Sequence, residues 1–321
     1  MKPIVSLATV LALAIVLAAC GPSSGGLGTV PPLEPTPAPS APQGSPDLTP
    51  EPSGSPTSTP TTNPTTGPSE APTPTPSGTT IVRAYFFLDG EPGTAGLVGV
   101  LREVPETRAV ATAAMNALIA GPAASERDGG ISSAVPAGTQ LLGLTIENGV
   151  ATVDLSSEFE SGGGSASVLT RLGQVVFTLT QFPTVDSVVF RIEGRTVTVF
   201  SSEGLTLDGP VARSDYEALL PAIFVDRPVW GAAIGNPARV AGSSNVFEAT
   251  SQVAILDRDG RVLAEQVVTA TCGTGCRGTF DVTLNYDVSR AQWGTLRVWI
   301  FSARDGSPEN VRDYPVWLTP G

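Results

Sequence analysis

The sequence predicts an α+β domain with two helices on a β-sheet, followed by an all-β sandwich, both behind a disordered N-terminal stalk. Three observations predict this. From residue 21 to about 79 the chain is almost wholly Pro, Thr, Ser and Gly, with too few apolar side chains to offset the entropy of ordering a backbone. Val168, Leu172, Val175, Leu179 and Phe182 recur at helical spacing, a single apolar stripe. Beyond residue 227 the pattern changes to about seven short strands separated by turns.

In chain order, an apolar run from Ile4 to Leu17 follows Lys2 and ends at Leu17-Ala18-Ala19-Cys20. This is the layout of a secretory signal with a small-residue cleavage site. The run is shorter than the roughly 20 residues a bilayer crossing needs. It resembles a bacterial lipobox. The resemblance implies that residues 1–19 are a signal peptide and that Cys20 is lipidated, anchoring an extracytoplasmic protein to the cell membrane. Residues 20–79 then form a Pro/Ser/Thr/Gly-rich linker. Proline favours an extended chain at about 3.1 Å per residue, so a fully stretched stalk reaches on the order of 150 Å.

The first domain, residues 80–203, begins at Ile81-Val82-Arg83-Ala84-Tyr85-Phe86-Phe87-Leu88, a β-branched and aromatic run closed by Asp89-Gly90. A helix is expected from about Thr107 to Ala120, stopped by Gly121-Pro122. Strands Leu141–Ile146 and Ala151–Leu155 flank Asn148-Gly149, a strong hairpin signal. The striped helix is stopped by Pro183. Val188, Phe190 and Ile192 then alternate in a strand that turns at Glu193-Gly194 into Arg195–Phe200.

Residues 204–220 read as a connector with one helical turn around Tyr216 to Leu220. In the second domain, residues 221–319, strands are expected at 229–234, 238–240, 247–257, 261–271, 278–285, 296–303 and 314–318, the pattern of an immunoglobulin-like sandwich. Phe247, Phe280 and Trp299 are the expected core fillers. Cys272 and Cys276 form a close pair, expected to be oxidised outside the cytoplasm as a local staple. A redox pair is the alternative.

The chain carries a net charge of −12 and no histidine, and Lys2 is its only lysine. No basic face for nucleic acid is expected. The usual Ser-His-Asp, Cys-His and Ser-Lys arrangements are excluded. Two cysteines without histidine fall short of the four ligands of a zinc site. Accordingly no catalytic residue, cofactor or metal is expected. Asp154, Glu158 and Glu160 are the carboxylates a glycosidase would need, but a solvated loop is the preferred reading. Gly162-Gly163-Gly164-Ser165 lacks the Gly-Lys-Ser/Thr ending of a phosphate loop and reads as a flexible helix entry. Asp257-Arg258-Asp259-Gly260 lacks the glutamate of a calcium loop and reads as a hairpin turn.

Several short blocks go further: Tyr85-Phe86-Phe87, Leu118-Ile119-Ala120-Gly121-Pro122, Ala151-Thr152-Val153-Asp154-Leu155-Ser156 and Thr178-Leu179-Thr180-Gln181-Phe182-Pro183. Together they resemble the GerMN domain of sporulation and spore germination lipoproteins. Pro221-Ala222-Ile223-Phe224-Val225, Asn245-Val246-Phe247-Glu248-Ala249 and Ser302-Ala303-Arg304-Asp305-Gly306 resemble the immunoglobulin-like domain that accompanies it. The resemblance implies a non-enzymatic envelope protein whose partners are other envelope proteins or itself. A cell-wall glycan binder is the alternative, motivated by Trp230, Trp293 and Trp317. A hydrolase using the carboxylates near Asp154 is a third reading.

Overall fold

The computed structural model describes residues 78–200 and 204–321. The signal run, Cys20 and the stalk before residue 78 lie outside the described residues. All described residues fall within one compact unit.

Strand β1, Thr79–Leu88, pairs antiparallel with β2, Gly96–Pro105, from Thr79 opposite Pro105 to Leu88 opposite Gly96. The sequence reading contains no β2. Gly96 and Gly99 interrupt its β-branched pattern, and glycine is a poor strand signal. Gly99 has a packing reason: a Cβ there would lie 2.8 Å from Arg83 Cδ and 3.1 Å from Val229 Cγ1. Helix α1, Val110–Ala120, starts three residues later than expected and buries Ala114, Met115 and Leu118. Short α2, Ala124–Asp128, leads to β3, Ile131–Ser132, which pairs on the other side of β1.

Strands β4, Leu141–Glu147, and β5, Val150–Leu155, form the expected hairpin, with Asn148 and Gly149 at positive φ of 50° and 82°. Helix α3, Ser165–Leu179, then crosses to β6, Ser187–Ile192, which lies parallel to β5. Its stripe residues Val168, Leu172, Val175 and Leu179 are all buried, while Phe182 lies past its end. The expected strand Arg195–Phe200 is split into β7, Arg195–Thr196, and β8, Val199–Phe200; β8 pairs with β9, Leu205–Thr206. Besides the β8-β9 pair, the described residues of the first domain form sheets of order β2-β1-β3 and β4-β5-β6-β7. Both α1 and α3 pack on β1 and on each other.

A 3₁₀ turn, Arg213–Leu219, seats the connector on α3. Gly173 allows the approach, because a Cβ there would fall 2.3 Å from Leu219 Cδ1. Strand β10, Ile223–Arg227, opens the second domain ahead of its first expected strand at 229–234. The expected strand 229–234 shrinks to β11, Ala233–Ile234, while β12 extends over Ala238–Ser244. Then come β13, Thr250–Leu256, β14, Val262–Thr269, β15, Gly278–Leu284, β16, Gln292–Phe301, and β17, Pro308–Leu318. They form a sandwich of sheets β10-β12-β15 and β11-β17-β16-β13-β14.

Alternate residues of the strands, such as Val253, Ile255, Leu296, Val298, Tyr314 and Val316, point inward and are fully buried. Each Val, Leu or Ile among them contributes on the order of 1.5–3 kcal/mol by leaving water. Phe280 joins this core. Phe247 does not: it sits in a 3₁₀ turn before β13 and is 60% exposed. Trp299 is buried, but with Ala254 and Leu256 in a separate cluster outside the main core.

Candidate functional site

A cluster of ionisable side chains sits where the two domains meet. Tyr85, fully buried on β1, donates its hydroxyl to Asp226 Oδ1 of β10 at 2.7 Å. Arg83 Nη1 donates to both, at 2.8 Å and 2.9 Å. Arg213 lies with its guanidinium 4.6 Å from the centre of the Phe177 ring and donates to Thr180 Oγ1 at 2.8 Å. Phe224 completes the junction against Tyr85 and Phe177. Only the end of β1 pairs with β3, so α3 covers the rest of that edge. Thr178 Oγ1 accepts from Tyr85 N–H, Gln174 Nε2 donates to Tyr85 C=O, and Gln181 Nε2 donates to Arg83 C=O.

Burial alone would raise the Asp226 carboxyl, but Arg83, the Tyr85 hydroxyl and Arg213 outweigh it and hold it below the usual carboxylate range. Burial first, and Asp226 second, push the Tyr85 hydroxyl up. Both shifts move titration away from neutrality, whereas a general acid or base is poised near the working pH. The cluster's hydrogen bonds join β1 of the first domain to β10 of the second. A cleft of about 540 Å³ opens beside it, lined in part by Arg213, Phe224, Asp226 and Asp281.

Further contacts tie the domains together. Trp230 pairs with Val100 of β2 as an isolated parallel bridge, its N–H donating to Gly99 C=O at 3.1 Å. Ala222 N–H donates to Gly93 C=O at 2.8 Å. Arg312 of β17, 3% exposed, donates to the carbonyls of Thr94, Gly96 and Leu97.

The residues singled out from sequence are placed as follows. Cys20 lies outside the described residues. Cys272 and Cys276 are paired, with Cα atoms 5.8 Å apart. Asp154 Oδ1 accepts from Gly194 N–H at 2.9 Å, securing the β6–β7 turn. The Glu158 carboxyl is lowered by a hydrogen bond with Ser156, the opposite of what a general acid needs. The Gly162–Gly164 loop leads into α3, with Gly164 at its N-cap; Gly162 C=O, with Phe159 and Ser161 C=O before it, accepts from Arg171, which is 1% exposed. Asp257 forms the β13–β14 hairpin turn, with Oδ1 accepting from Asp259 and Arg261 N–H. Among the described residues no group of three or more His, Cys, Asp or Glu is placed to hold a metal ion.

Trp293 and Trp317 face each other across β16 and β17, ring centres 5.3 Å apart, with Trp293 54% exposed. Trp230 lies apart from them, over Gly129 of the first domain. Sequence reasoning missed Arg83, Asp226, Arg213 and Arg312. Only Arg83 carries a sequence signal, an arginine within an otherwise apolar strand, Val82-Arg83-Ala84.

An α+β domain and an immunoglobulin-like sandwich, locked through buried arginines, define a two-domain protein whose junction is structural. Residues 83–198 match the Germane family model, described as sporulation and spore germination. Residues 222–307 match Gmad2, the immunoglobulin-like domain of bacterial spore germination. The chain thus carries a GerMN-like Germane domain followed by a Gmad2 domain. No curated protein matches it. Among solved structures it is similar to the first GerMN domain of the sporulation protein GerM from Bacillus subtilis, with 24% identity, TM-score 0.37, and coverage of 42% of this chain and 99% of that one. The tandem GerMN domains of the same protein match at 17% identity and TM-score 0.37, covering 75% of this chain and 61% of that one. A putative lipoprotein from Clostridium perfringens matches at 20% identity and TM-score 0.31, covering 44% and 93%. Among the described residues no helix is long and apolar enough to cross a membrane.

Proposed function

We propose that this chain is a lipid-anchored extracytoplasmic envelope protein that acts without catalysis, by protein contacts, in a process related to sporulation or spore germination. The observation that carries this reading is the presence of two spore-germination domains in series, held as one body. The lipobox-like Leu17-Ala18-Ala19-Cys20 supports the anchor. The neutral-pH silence of the junction cluster supports a non-enzymatic role. Crosslinking in intact cells with a carboxylate-reactive reagent tests it, since the chain past Lys2 has no lysine. Links to a small set of envelope proteins, or between copies, are expected. Cys20→Ala should release the protein from the membrane fraction, and retention there would remove the anchor reading.

A second reading, a cell-wall glycan ligand, is favoured by the exposed Trp293 beside Trp317. If it holds, Trp293→Ala lowers retention on isolated peptidoglycan. Equal retention of variant and parent rejects it.

A further inference from the structure

Part of the outer face of the five-stranded sheet is apolar, although the inner face already packs the core. A groove of about 340 Å³ runs along it, lined in part by Leu256, Val262, Trp299, Phe301 and Val311. Val262 and Phe301 are 50% and 52% exposed. An antiparallel sheet normally shows a polar face to water, so this one lacks a cover. Two polar side chains on it are open to a partner. Trp299 Nε1 is buried without one, and Glu265 makes no hydrogen bond or ion pair among the described residues.

The rungs of this face show what fits it. On adjacent strands β14, β13 and β16, Glu265, Ala254 and Arg297 lie side by side. Two rungs along, the next on this face, so do Val267, Gln252 and Trp299. A two-fold axis laid along β13 exchanges β14 with β16. It sets Glu265 of one copy over Arg297 of the other, twice, and Val267 over Trp299. On the axis Gln252 meets its own copy, and a primary amide both donates and accepts. Ala254, at the centre, has a side chain small enough for close approach. Arg297 uses Nε and Nη2 on Asp313, and Nη1 is left for the new carboxylate.

We infer that this face docks a second copy of the same chain. The inference rests on the lipid-anchored reading, because the face is small. Three strands at about 4.8 Å spacing and seven residues at about 3.4 Å give roughly 340 Å² in projection per copy. That is a weak interface in dilute solution, strengthened when two copies share one membrane and raise each other's effective concentration.

The test uses the full chain, expressed in the same cells as two differently tagged copies and recovered through one tag. Wild-type copies should co-recover. Glu265→Arg paired with itself sets arginine against Arg297, and Arg297→Glu paired with itself sets glutamate against Glu265. Each should lower co-recovery by about tenfold, as like charges across an interface do. A Glu265→Arg copy with an Arg297→Glu copy restores opposite charges on both rungs and should co-recover as the wild type does. Val267 is 59% exposed, so Val267→Asp is a check that does not disturb the core; it should also lose co-recovery. Equal recovery of every pair overturns the inference, as does failure of wild-type copies to co-recover. Failure of the wider reading is separate, seen as Cys20→Ala remaining in the membrane fraction.

Discussion

The domain junction and the outer face of the five-stranded sheet are built from similar side chains, aromatics with arginine and carboxylate, yet they end differently. At the junction Arg83, Tyr85 and Asp226 share three hydrogen bonds, and Arg312 caps three carbonyls with only its Nε unpaired. On the outer face, among the described residues, Trp299 Nε1 is buried without a partner and the exposed Glu265 makes no ion pair, while Phe301 and Val267 stand in water. A surface whose partner lies in the same chain satisfies its polar groups, because leaving them buried and unpaired costs about 1–3 kcal/mol each. The docking inferred above would place the partner of the outer face in a second copy of the chain.

Substitutions sharpen this contrast. The largest effect is expected from Arg312→Ala, which strips the donor from the carbonyls of Thr94, Gly96 and Leu97 and should lower stability by about 3 kcal/mol in chemical denaturation. Next, Asp226→Asn weakens the hold on Arg83 and Tyr85, with a loss of about 1–2 kcal/mol at neutral pH. The pH profile of the parent carries the same information. The Asp226 carboxyl is held low, so its contribution is present above the ordinary value of about 3.9 and is lost as pH falls through the depressed one. Tyr85 is held high, so its contribution is complete below about 10 and lost as pH rises through the raised value. Denaturation midpoints across pH should show both limbs in the parent and a shallower acid limb in Asp226→Asn.

Smaller still, replacing Cys272 and Cys276 together by serine should cost at most about 2 kcal/mol, because the closed loop is short. A larger loss in thermal unfolding would give this pair more than a staple's part. Val267→Asp should change stability by less than about 0.5 kcal/mol. A large loss there would mean that the outer face already serves the fold.

How much of this was legible depends on sequence distance. Helix α3 and the Asn148-Gly149 and Glu193-Gly194 turns are local, so spacing and turn chemistry reveal them. The junction is not local: Arg83 and Asp226 are 143 residues apart, and Arg312 reaches back 216 residues to Gly96. Nothing in either neighbourhood announces the other. Phe247 and Trp299 mislead for another reason. Large apolar residues read as core, yet Phe247 is turned into water by a 3₁₀ turn. Trp299, by the alternation of β16, takes the face opposite Leu296 and Val298. Strand β2 was hidden by glycines kept for the close approach of the second domain. Of the candidate residues, Asp154 lies on β5 and holds the β6–β7 turn, and the Asp257 turn is the expected hairpin. The glycine loop leads into α3 as its position suggests, but its hold on Arg171 through Gly162 C=O has no sequence signal.

The ten-rung ladder between β1 and β2 also has a mechanical meaning. The chain enters the described fold at Thr79, the first residue of β1, opposite Pro105. Tension applied there along the strand axis is shared by all ten rungs in shear, and is not concentrated on one rung as in peeling. Because β2 also carries the Trp230 and Arg312 contacts, that load passes directly to the sandwich, and a body pulled from its N-terminal end moves as one piece.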